Sequence, residues 1–200
     1  MQSSTEHAPD FALARTAMIN SQLRTSGVTG PLVLERMNTV PREAFVPAAQ
    51  RAAAYIDRSL PLDDAHQLPP PLFHGLMLQE ARLDPQDRVL VVSPAPGYLE
   101  ALVAPLVNSV TAIAPSAAAA GEVPEGGYSL LLIDGAAEQV PAPLLAALTP
   151  AGRVVTGLVQ GQVQRLCVGR VVDGRLAAQP VLELGIPRIP EFDQPRVWRF

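Results

Sequence analysis

From Arg88 onward the chain alternates short runs that are apolar at every position with stretches of helical spacing, and this alternation restricts the possible folds more than any other feature. The runs VLVV at 89–92 and LLLI at 130–133 have no polar face. A strand with one wet face alternates in polarity, whereas a parallel strand covered by helices on both sides does not. The order VLVV, YLEALVAPL, SVTAI, YSLLLIDG, PAPLLAALTPAG, RVVTGLV is that of a doubly wound α/β sheet. The pattern then changes to QVQRLCVGRVVDGRL and PVLEL, read as antiparallel strands turning at Asp173-Gly174, a dipeptide suited to a two-residue hairpin. The expected fold is α/β, a mostly parallel sheet with an antiparallel C-terminal edge.

The segment before the sheet reads as a helical cap. Asp10 suits the N-cap of a helix whose Phe11, Ala14, Met18 and Gln22, with Ile19 and Leu23, form a half-apolar stripe, and Gly27 suits a left-handed end. PLVLERMNTV gives a second helix between Pro31 and Pro41. VPREAFVP reads as a turn or short helix with Phe45 inward, and a third helix is expected from Leu72 to Ala81. Residues 1–9 are expected to be a disordered tail. Residues 10–200 form one domain, divided into a cap at 10–82 and a sheet at 83–200.

Composition excludes several chemistries. All 15 basic residues are Arg, so no lysine can form a Schiff base. A net charge of -4 offers no basic face for nucleic acid. No run of about 18 apolar residues or signal-peptide core is present, so no membrane partner is expected and the localisation read from the sequence is cytoplasmic. Cys167, the single cysteine, reads as a packing residue in a strand and fits a reducing compartment. Trp198 is expected to pack the C-terminus onto the domain. His66 near Asp63 and Asp64, with His74 further on, could form a metal or general-base cluster, but exposed polar residues are the preferred reading and no metal site is assigned. Arg42 and Glu43 read as an ion pair or cap.

The stretch VLVVSPAPGY places a strand, a small-residue loop and a helix in succession, the layout at which α/β domains bind phosphates and nucleosides. Ser93 and Gly97 are therefore candidate cofactor-binding residues. Asp134, at the end of the LLLI run, is a third, with a polar strand-end cap as its alternative.

Met18-Ile19, Gln22-Leu23, Gly27-Val28-Thr29, Val33-Leu34, VPREAFVP at 40–47, AYID at 54–57 and LPL at 60–62 together resemble the N-terminal part of the protein-L-isoaspartate O-methyltransferase family. A looser similarity continues through most of the chain. The resemblance implies a Rossmann-like methyltransferase fold that binds S-adenosylmethionine and methylates isoaspartyl carboxylates in damaged proteins. The family's first binding motif has the form V-L-E-I-G-x-G-x-G-Y. On that pattern Val91 stands in place of the acid, and Ser93 and Ala95 stand in place of two glycines. Pro94 and Pro96 lie between them, and only Gly97 and Tyr98 match. Each proline lacks an N–H and fixes φ, and Ala95 before Pro96 is pushed toward extended geometry.

Three further departures point the same way. Ala114 stands where such folds carry a ribose-binding acid. Pro69 falls where the resemblance implies a serine near the methyl-transfer site. Between Ile113 and Tyr128 the chain is too short for another helix and strand, which take roughly 25 residues. Their absence would leave the strand at Val110 and Ile113 as an open edge available for a homodimer. The expectation is a bacterial-type pseudoenzyme with no cofactor and no assigned catalytic residue, acting through an unknown protein partner. The alternative is a divergent, active S-adenosylmethionine-dependent carboxyl methyltransferase.

Overall fold

A computed structural model describes residues 10–95 and 97–194. The expectations for residues 1–9 and Trp198 lie outside the described residues. Six strands form the main sheet in the order β4-β3-β5-β6-β7-β8. β3 (Arg88–Val92), β4 (Ser109–Ile113), β5 (Tyr128–Ala137) and β6 (Leu148–Gln160) are mutually parallel, and β7 (Val163–Val172) and β8 (Arg175–Glu183) continue the sheet antiparallel. The turn between β7 and β8 has Asp173 and Gly174 both left-handed, at φ 49° and 73°, as a type I′ hairpin requires.

The fully apolar runs follow from two buried faces. Val89, Val91, Leu130, Leu132 and Val155 pack with the N-terminal cap and the helices on its side of the sheet. Leu90, Val92, Leu131, Ile133 and Val154 pack in a second cluster with Ala118, Leu144, Ile189 and Phe192. The first face is covered by α3 (Pro71–Ala81) and α4 (Tyr98–Val103), the second by α5 (Pro115–Ala119) and α6 (Ala142–Ala146).

The cap begins at α1 (Phe11–Met18), with Asp10 accepting from the Leu13 N–H at 3.0 Å. The helix continues through a π turn at Ile19–Leu23 and a 3-10 turn to Gly27, whose φ of 93° ends it. α2 (Pro31–Thr39) starts with its proline in the first turn, where the missing N–H costs nothing. A two-residue antiparallel ladder, β1 (Leu60–Pro61) with β2 (Gln67–Leu68), leads into α3.

The structure differs from the sequence reading at Asp134 and at the pair Arg42 and Glu43. Asp134 does not end its strand, because β5 runs on to Ala137 with a register shift against β6 between Ile133 and Ala136. A C-terminal segment causes the extension, pairing Ala136 N–H with Pro187 and Ile189 N–H with Ala136 at 2.8 and 2.9 Å. Gly135 permits it, since a Cβ there would lie 2.7 Å from Ile189 Cγ1. Arg42 and Glu43 are not paired with each other. Arg42 is fully buried, whereas Glu43 bonds Arg15 at 3.1 Å and accepts from the Tyr55 hydroxyl. Among the described residues no helix is long and apolar enough to cross a membrane.

Candidate functional site

A buried polar chain ties the cap to the sheet. Arg42 donates from Nε to the Ala54 carbonyl at 2.9 Å and from Nη2 to the Pro69 carbonyl. Its Nη1 meets His74 Nδ1 at 3.3 Å, His74 Nε2 lies 2.8 Å from Asp134 Oδ1, and Ser93 Oγ donates to Asp134 Oδ2 at 2.9 Å. All four side chains are buried, three of them with no exposure at all. Arg42 also lies over the Tyr98 ring, 5.0 Å from its centroid, and His74 meets that ring edge-on at 5.1 Å.

This arrangement corrects the reading of His74 as an exposed polar residue. Its helix is apolar on nearly every side, so the imidazole is enclosed and must be satisfied internally. His74 takes no part in a cluster with His66. Among the described residues no group of three or more His, Cys, Asp or Glu could hold a metal ion. His66 instead joins two distant loops, with Nδ1 3.0 Å from Asp63 and Nε2 2.9 Å from Glu191. Burial works to lower its pKa, but the hydrogen bonds to the two carboxylates outweigh burial and the net shift is upward.

The loop after β3 closes on itself. Ser93 Oγ accepts from the Ala95 N–H at 3.1 Å, and Ala95 is buried. Gly97 has φ 100° and caps α4, a conformation costly for any other residue. Of the three candidate cofactor-binding residues, Ser93 borders an open cleft, Asp134 lies behind it in the buried chain, and Gly97 sets the start of α4.

The cleft, about 280 Å³, sits at the C-terminal ends of β3 and β4. Its walls are the Ser93–Pro94 turn, Ala112 to Ser116, Glu100 from the first turn of α4, and the His66, Asp63 and Glu191 clasp. Larger hollows of about 390 and 380 Å³ lie over the face of β6 and β7 and between α2 and α3, but neither meets the ends of the parallel strands. The carboxyl ends of the parallel strands are where doubly wound sheets bind ligands, so position favours the smaller cleft. Its volume is just under the roughly 300 Å³ at which small-molecule pockets begin, enough for a nucleoside-sized group.

The sequence reading missed Glu100 and Glu191. Both line this cleft, and in each case Oε2 is buried with no hydrogen-bond partner. Burial raises the Glu100 pKa, against the lowering effect of the N–H groups of Glu100 itself and Gly97, and Asp134 adds to the rise. A glutamate at the third position of a helix reaching back to its cap is a recognisable local signal, but the direction of its free oxygen depends on the tertiary fold. The orphaned oxygens are acceptors, as the sugar hydroxyls of a nucleoside would require.

Comparison with known proteins agrees with this architecture. Residues 14–116 match the family model for protein-L-isoaspartate(D-aspartate) O-methyltransferase. The protein-L-isoaspartate O-methyltransferase of Methylorubrum extorquens (strain PA1) is 34% identical over 174 residues, covering 76% of each chain. That of Aeropyrum pernix is 31% identical, covering 96% of this chain and 85% of its own. Among solved structures, a Plasmodium falciparum protein assigned to the same activity, in complex with S-adenosyl-L-homocysteine, superposes with a TM-score of 0.71 at 16% identity. That match covers 88% of this chain and 98% of the other. With the shared fold and a match across more than half its length, this chain belongs to the protein-L-isoaspartate O-methyltransferase family.

Proposed function

We propose that the chain is a divergent S-adenosylmethionine-dependent methyltransferase acting on the carboxylates of isoaspartyl residues in proteins, with the nucleoside of the cofactor in the cleft at the ends of β3 and β4. The observation that carries this reading is the cleft itself, at the carboxyl edge and lined by Glu100 and Glu191, each with a carboxylate oxygen that has no protein partner. Relatives more than 30% identical over about three quarters of the chain are named for this activity. They favour it over the sequence-based expectation of a pseudoenzyme without cofactor.

S-adenosylmethionine, when bound, supplies a methyl group on a positively charged sulfonium. The protein's share is positioning. The free carboxyl of an isoaspartyl residue is its α-carboxyl, which with a pKa of about 3.5 is already ionised at neutral pH, so its oxygen can attack without a general base. Proline at position 69 therefore removes no obligatory proton acceptor. Ser93, held by Asp134, fixes the loop beneath the ligand, and Ala112, Ile113, Ala114 and Pro115 form an apolar wall that excludes water. Preorganised positioning of this kind supplies a large share of the barrier reduction in a transfer between two bound groups.

The test is transfer of a radiolabelled methyl group to a synthetic isoaspartyl peptide, with incorporation above a protein-free control expected. No incorporation by the folded protein overturns the proposal. A second reading, a scaffold that keeps the fold without the chemistry, is favoured by one observation: Ser93 and Ala95 spend their polar groups on each other and Asp134. Absence of both methyl transfer and calorimetric binding of S-adenosylhomocysteine would establish that reading instead.

A further inference from the structure

We propose that Glu100 binds the ribose hydroxyls of the nucleoside, replacing the strand-end acid that this chain lacks at Ala114. The inference rests on the function proposed above and assigns the recognition group within that cleft. Ala114 and Glu100 line the same cleft, one at the end of β4 and the other on α4. Loss of the acid from the strand is thus matched by a carboxylate on the adjacent helix.

Three observations support the exchange. Glu100 Oε2 is buried and has no partner in the protein, a condition that folded proteins avoid because the desolvated acceptor regains nothing. Glu100 is the third residue of α4, directly after the Gly97 cap, so the first turn of the helix holds its side chain on the same cleft as Ala114. A carboxylate only accepts hydrogen bonds, and the two neighbouring hydroxyls of a ribose are two donors at matching spacing. Glu191 presents a second orphaned oxygen, but its Oε1 is paired with His66 in the clasp, so its charge is already shared with the imidazole. A metal ion is the less favoured occupant, since no three ligating side chains converge among the described residues.

The experiment is calorimetric binding to the full chain of two probes, S-adenosylhomocysteine and its 2′,3′-dideoxyribose analogue. Glu100→Gln is expected to weaken S-adenosylhomocysteine by at least about tenfold, the scale of one charge-assisted hydrogen-bond pair, and to leave the analogue within about twofold. Adding Ala114→Glu to Glu100→Gln is expected to recover much of the loss, and melting curves establish that each variant is folded. If the unmodified chain binds S-adenosylhomocysteine and Glu100→Gln binds it equally well, or loses both probes in the same proportion, the assignment to Glu100 is wrong and the proposed function stands. If the unmodified chain binds neither probe, both fall together.

Discussion

Arginine has no acceptor, so its contact with Nδ1 fixes the His74 imidazole as the tautomer with its proton on Nε2, where it is donated to Asp134. The ring thereby transmits a positive guanidinium on one side to a buried carboxylate on the other, and neither charge has access to water. His74→Phe keeps most of the volume and removes both bonds. It leaves Asp134 Oδ1 without its donor while Oδ2 keeps Ser93, and breaking one member of such a buried network costs about 3–5 kcal/mol. The expected result is a fall in melting temperature of roughly 10 °C, since each kcal/mol moves a chain of this size by about 2–4 °C. Asp134→Asn in the same calorimetric scan is expected to cost less, because the amide can still accept from His74. Equal melting temperatures for wild type and His74→Phe would remove the structural role assigned to the chain.

Between elements, the His66 clasp joins the loop after β1 to the turn at Pro190–Phe192 across one side of the cleft. The folded pKa of His66 lies above its ordinary 6.5. The stabilisation is therefore complete below about pH 6.5 and is lost as pH rises through the higher folded value. The melting temperature of the wild type is expected to exceed that of His66→Gln near pH 6 and to converge with it near pH 9, within about 1 °C; a gap independent of pH would show that the clasp carries no charge. Elements of this kind divide sharply in how far the sequence disclosed them. β3, β5 and the Asp173-Gly174 hairpin were legible because an all-apolar run or a turn dipeptide acts through its immediate neighbours. The clasp was not, since Glu191 is remote from His66 in the chain and no local pattern joins them. His74 gave only the faint signal of an imidazole in an apolar helix, and its partners arrive from a segment before and a strand after. The cleft was legible in position, from the strand-loop-helix layout at VLVVSPAPGY, but not in chemistry. The acid expected on β4 is absent, and the replacement on α4 is recognisable only when Glu100 and Ala114 are seen on one wall.

For the molecule as a whole, the sheet has an open side at β4, which among the described residues pairs with β3 and with no other strand. The short path from β4 to β5 through α5 leaves no strand to cover it. Ser93 N–H bonds to the Ile113 carbonyl at 3.3 Å, so Ile113 faces β3. By the alternation of backbone groups along a strand, Ala112 and Val110 direct theirs outward. Unpaired outward donors and acceptors are a template for another strand. Two copies related by a two-fold axis could join these edges antiparallel and satisfy both at once. The expected result is a dimer by light scattering at micromolar concentration. Ala112→Pro is expected to abolish it, since the ring removes an outward N–H at an exposed position without disturbing a bond to β3. Retention of the dimer in a folded Ala112→Pro protein would place the contact elsewhere, and a wild-type monomer under the same conditions would mean that the open edge does not pair. Since Ala112 also borders the cleft, pairing at this edge would bring the two ligand sites of a dimer close to its interface. In that case S-adenosylhomocysteine is expected to bind wild type and Ala112→Pro with different affinities, measurable in the same calorimeter.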